Sequence, residues 1–155
     1  MKQLKFFLMP VVLLMSMALV FSACGGSEGK SEEEKMDHLL DLQDDVVRVH
    51  DDVMPLTSNI NRARQQIMDY YQEHHEGMDE ELENRMGVIL QRLNDAHDGM
   101  FDWMGDWADT DQAAMEYDEA IEYYDREMER IKQVAEDMRS SVSDAEELLE
   151  ELGLK

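Results

Sequence analysis

Leu39 to Tyr70 reads LLDLQDDVVRVHDDVMPLTSNINRARQQIMDY, and its spacing decides the fold. Leu39, Val46, Val53, Ile60 and Ile67 recur every seven residues. Leu42, Val49, Leu56, Ala63 and Tyr70 form a second column between them. Alternating steps of three and four put both columns on one face of a helix and favour left-handed, coiled-coil-like packing. The segment extends from about Ser31, whose hydroxyl with Glu34 makes a capping box, to Glu76, with Gly77 as a natural stop. Pro55 removes one backbone hydrogen bond and clashes with the carbonyl of Asp51. The heptad nevertheless passes through it in phase, which predicts one helix kinked at Pro55, with two separate helices as the alternative.

Two further segments carry the same period. From about Asp79 to Trp107 the columns are Leu82, Ile89, Ala96, Trp103 and Met86, Leu93, Met100, Trp107. From about Asp111 to Leu152 they are Tyr117, Tyr124, Ile131, Met138, Ala145, Leu152 and Ile121, Met128, Ala135, Val142, Leu149, with Gly153 as terminator. Connections as short as Gly77-Met78 and Ala108 to Thr110 force neighbouring helices antiparallel. No strand-like alternation interrupts the pattern. The expected fold is all-α, an elongated antiparallel three-helix bundle over residues 31–155. Its middle helix is shorter than its neighbours, so parts of the first and third must extend past it. Asp44/Arg48, Glu81/Arg85 and Glu122/Arg126 place an acid four residues before a base, favourable spacing on a helix surface.

Ahead of the bundle the composition changes. Lys2 and Lys5 precede an apolar run, Phe6 to Phe21, broken by Pro10 and Ser16. Sixteen residues rise ~24 Å as helix, short of a ~30 Å hydrocarbon core. Residues 1–23 therefore read as a signal peptide and not a membrane span. The stretch Phe21-Ser22-Ala23-Cys24 resembles a lipobox, the site of the lipoprotein signal peptidase, with Phe where Leu is usual. The resemblance implies lipidation of Cys24, the single cysteine of the chain. A lone thiol has no intrachain disulfide partner, and Cys24 opens a Gly/Ser-containing tether, residues 24–30. Among lipoproteins of two-membrane bacteria, Gly25 in place of the retention Asp implies the outer membrane. The acidic cluster Glu28 to Glu34 also has the look of a surface-export signal.

Removing residues 1–23 takes away Lys2 and Lys5 and no acid. The 37 acids then face 12 of the 14 bases, a net charge of −25. Such a surface repels phosphate backbones and anionic headgroups, which excludes nucleic-acid binding and leaves any membrane contact to the lipid. Protein partners or self-association fit better. A solvated acidic face that keeps the chain soluble, or one adapted to salt, is the plainer reading of the same charge.

Two stretches carry chemistry: His50-Asp51-Asp52-Val53-Met54-Pro55, and His97-Asp98-Gly99-Met100-Phe101-Asp102-Trp103-Met104. They resemble the HDEVMP-like and D-x-M-x-D-W-M-like motifs of a group of small lipoproteins of Bacteroidota-type bacteria labelled viral A-type inclusion protein-like. Asp52 stands for the usual Glu. The resemblance implies an envelope lipoprotein and supplies no catalytic residues. An antiparallel turn at Gly77 sets Met54 opposite Phe101 and His50 opposite Gly105, with Met115 and Tyr117 brought to the same level. His50, Met54, Met100, Met104 and Met115 then form a thioether–imidazole layer suited to copper as Cu(I), and His/Met pairs also ligate haem iron. No CxxCH motif is present for covalent haem. Met and Trp at heptad spacing are equally ordinary packing material. Glu73, His74, His75 and Glu76 cluster at a helix end as a weak surface metal site or a solvated terminus. There is no Ser/His/Asp set, no Gly-rich phosphate loop and no distinguishable acid–base pair, so no enzyme activity is expected.

Overall fold

The computed structural model describes residues 30–154; the signal-peptide reading, Cys24 and nearly all of the tether lie outside the described residues. Helix α1 spans Glu32–Val53, α2 Leu56–His74, α3 Glu80–Asp109 and α4 Tyr117–Glu151, with a 3₁₀ turn at Gln112–Ala114. The architecture is the expected all-helical bundle: α1 and α2 are two halves of one rod bent by 29°, packed with α3 and α4.

The helix ends follow from local chemistry. Ser31 Oγ accepts from the Glu34 N–H at 3.1 Å, and the Ser31 N–H donates to Glu34 Oε2 at 2.7 Å. This closes the predicted capping box. Asp79 Oδ1 caps α3 by accepting from the Glu81 N–H at 2.8 Å. Gly77 adopts φ 88° in the α2–α3 turn. At the other end Gly153 has φ 73°, and the N–H of Leu154 reaches the carbonyl of Leu149 at 2.9 Å. That is a Schellman terminus, which needs a left-handed residue.

Pro55 interrupts the rod as its missing N–H requires. Met54 donates to the His50 carbonyl at 2.8 Å, and the pattern resumes with Thr57 to Met54 at 3.1 Å and Ser58 to Pro55 at 3.2 Å. The heptad stays in phase: Val46, Val53, Ile60 and Ile67 are all fully buried. On α3, Met86, Leu93, Met100, Ala96, Ile89 and Trp103 are buried.

α4 is the central helix, packing against α1, α2 and α3. Its buried face is wider than two columns. Besides Tyr124, Ile131, Ala135, Met138, Val142, Ala145 and Leu149, it buries Ala120, Tyr123, Glu127, Ser141 and Leu148. Ser141 is satisfied by donating to the Met138 carbonyl at 3.1 Å. Glu127 accepts from Arg130 at 3.0 and 3.1 Å, and Arg130 bridges to Asp106 of α3 at 2.6 Å.

The α3–α4 connection differs from expectation. Residues 110–116 are not helical apart from the 3₁₀ turn, so α4 begins at Tyr117 and not near Asp111. Thr110 caps α3 in extended backbone, and Met115 is extended too, which separates the two helices. The loop climbs past the end of α3, so the first turns of α4 meet the first turns of α1. There Ala120, Tyr123 and Tyr124 form a second core with Leu39, Leu42, Trp107 and Met115. The ends of the long helices thus cover each other. Tyr117 locks this end: its hydroxyl meets His38 Nδ1 at 2.8 Å and accepts from Lys30 at 3.2 Å.

The surface ion pairs are not those the spacing suggested. Arg48 takes Asp45, three residues away, and Arg85 crosses to Glu151 of α4 at 2.9 Å. Arg92 likewise crosses to Asp144. Together with Arg130–Asp106 these bridges set one antiparallel register between α3 and α4.

Candidate functional site

His50 and Trp103 bring the two singled-out stretches together. Their rings are 5.7 Å apart between centroids, with planes 29° from parallel. His50 therefore sits within a turn of the expected level on α3. Trp103 continues the stack onto Trp107 at 5.2 Å, and Trp107 meets Tyr123 at 5.8 Å and Tyr124 at 6.0 Å. This aromatic column joins the main core to the second one.

The remaining layer residues divide. Met100 is fully buried in the main core, and half-buried Met54 and Met104 pack against it. Met54 follows His50 by one helical turn; Met100 and Met104 bracket Trp103. Met115 is elsewhere, against the Tyr123/Tyr124 cluster. Tyr117 lies beside His38, twelve residues before His50, or ~18 Å along the axis. The expectation that Met115 and Tyr117 share the His50 level fails because the α3–α4 loop overshoots the end of α3. The α4 segment at that level carries Met128 instead, half-buried against the main core.

His50 has a defined environment. Its Nδ1 is 2.8 Å from Asp51 Oδ1, and its Nε2 is buried with no hydrogen-bond partner. A carboxylate accepts, so Nδ1–H donates to Asp51, and in the neutral imidazole Nε2 is the atom with the lone pair. Trp103 Nε1 is also buried without an acceptor. Sequence reasoning found His50 and its methionines but not the orphaned pair, which needs the side-chain packing.

His74, His75 and His97 are used locally. His74 Nδ1 donates to the Tyr70 carbonyl at 2.9 Å and His75 Nδ1 to that of Gln72 at 3.1 Å; His74 stacks on Tyr70, and His75 makes a tilted ring contact with Tyr71. His97 Nδ1 pairs with Asp98 at 3.1 Å. Among the described residues, no three His, Cys, Asp or Glu side chains converge as a metal cage.

A surface groove of about 830 Å³ lies between the start of α3 and the end of α4. Its lining includes Asp79, Glu80, Glu81, Asp144 and Glu147, with the exposed Val88 among them and Arg85 already engaged by Glu151. It lies ~40 Å along α4 from Tyr117, the end of the bundle at which Lys30 sits.

No protein-family model, curated protein or solved structure matches this chain.

Proposed function

We propose that this protein is a lipid-anchored module of a bacterial cell envelope, held to the outer membrane through Cys24, and that it acts by binding a protein partner. One observation carries the partner half of this reading: the acid-lined groove lies at the end of the bundle opposite the tether. An anchored chain presents that end farthest from the lipid. Acids with an exposed Val88 among them suit a basic partner segment that also buries an apolar side chain. Among the described residues no helix is long and apolar enough to cross a membrane.

A photo-crosslinking amino acid at position 88, in intact cells, tests this. The expected result is a salt-sensitive adduct to a basic envelope protein, lost when Glu80, Glu81 and Glu147 are all changed to Lys. Absence of any adduct, or one indifferent to charge reversal, contradicts it. A second reading, soft-metal handling, is favoured by the unpartnered Nε2 of His50.

A further inference from the structure

We infer that the layer around His50 and Trp103 is a binding site for a soft monovalent d¹⁰ ion, Cu(I) or Ag(I). His50 Nε2 supplies the nitrogen ligand, and Met54, Met100 and Met104 are the thioethers from which the remaining ligands come.

His50 Nε2 is buried with no hydrogen-bond partner. A buried imidazole nitrogen left so has lost its hydration with nothing in return. Asp51 holds the opposite nitrogen protonated at 2.8 Å. This is the arrangement by which metal-binding histidines are oriented and made more basic. A water here would find at most the two unpartnered atoms, His50 Nε2 and Trp103 Nε1, the lower end of the two to four polar partners that a buried water takes. Met54, Met100 and Met104 belong to or pack against the core that buries Trp103, and the rings of His50 and Trp107 stack on it. Water gains little from thioethers and aromatic faces, whereas a soft cation is ligated by thioether sulfur.

Geometry and charge agree. His50 and Met54 stand one turn apart on the rod, and Met100 shares a face of α3 with Trp103. Their helices are joined at this level by the ring stack. The Trp103 face provides cation–π stabilisation next to a bound ion. A monovalent ion on neutral ligands leaves one positive charge, which Asp51 and the acidic surface favour. Harder divalent ions want oxygen or several imidazoles, and neither is gathered here.

The test titrates the purified full chain with Ag(I), and with Cu(I) anaerobically against a chromogenic chelator. Binding is followed by tryptophan fluorescence and by the ¹⁵N shift of His50 Nε2. The result expected is one ion per chain, quenching of the Trp103/Trp107 emission, and a large Nε2 shift. His50→Ala abolishes that binding. The triple change Met54→Leu, Met100→Leu, Met104→Leu keeps the core volume and the helical circular dichroism, and lowers affinity by at least about 10-fold. Met115→Leu leaves it unchanged. Overturning results are no binding, or binding that survives both the His50 and the triple Met variants, which would place the ion on surface groups such as His74 and His75. Should His50→Ala fail to fold, the triple Met variant and the Nε2 shift decide alone.

Discussion

His50 stacks on Trp103 at 5.7 Å, and that contact ties the rod to α3 just before the rod bends at Pro55. Two large rings fill the space there, with Val53 buried one turn further on. The bend changes the direction of the rod without breaking its apolar column, because Val46 and Val53 precede it and Ile60 and Ile67 follow it in phase.

This makes Val53 far more sensitive than Pro55. Val53→Asp places a carboxylate at a site with no solvent access, without a partner on the column, at a cost of several kcal/mol. Pro55 is exposed, and Pro55→Ala returns an N–H to the Asp51 carbonyl. Its stability should stay within about 1 kcal/mol of wild type or rise. Thermal melts by circular dichroism check both; equal melting temperatures for wild type and Val53→Asp would refute the column.

Much of this was readable because apolar period and short turns are local properties. The columns through Val46–Ile67 and Met86–Met100 follow from spacing alone, and the short turn at Gly77 brought His50 to Trp103. The third buried column of α4 was not readable, because it exists only once α4 becomes the central helix. Glu127 looks like any surface acid in the sequence, yet it is buried, with its carboxylate accepting from Arg130 one turn on. Met115 was misplaced because extending the period of α4 back to Asp111 hid a non-helical loop. The Glu81/Arg85 pair fails for a related reason: Arg85 meets Glu151 of α4, a neighbour that spacing within α3 does not show.

The capping box gives a pH prediction. The Ser31 backbone N–H, and then its hydroxyl, hold the Glu34 carboxyl below the ordinary carboxylate range. A carboxylate with a lowered folded-state pKa stabilises fully above its unfolded pKa and loses that contribution as pH falls through the folded value. Glu34→Ala should therefore be less stable than wild type at neutral pH, by the small amount expected of an exposed cap. The difference should close only in acid, below the usual Glu range. Amide exchange in the first turn of α1, compared between the two proteins across pH, reads this. A difference that persists unchanged into strong acid contradicts it.

Salt should stabilise the bundle. The 37 acids of the chain crowd along one elongated fold, and unfolding spreads them apart. The Debye length falls from ~30 Å at 0.01 M to ~3 Å at 1 M salt. The screened cross-helix pairs, Arg85–Glu151 and Arg130–Asp106, are surface bridges worth about 1 kcal/mol or less each. Melting temperature should rise with NaCl, and Mg²⁺ should act at lower concentration. A melting temperature independent of salt contradicts the account.

The account rests most heavily on Cys24, and the intact mass of the protein isolated from membranes tests it most directly. The predicted mass is that of a chain beginning at Cys24 and carrying added acyl and glyceryl groups, with Cys24→Ser giving an unacylated protein absent from the membrane fraction. An unmodified Cys24 in membrane-derived protein, or a Cys24→Ser chain still held in membranes after a high-salt wash, would contradict it.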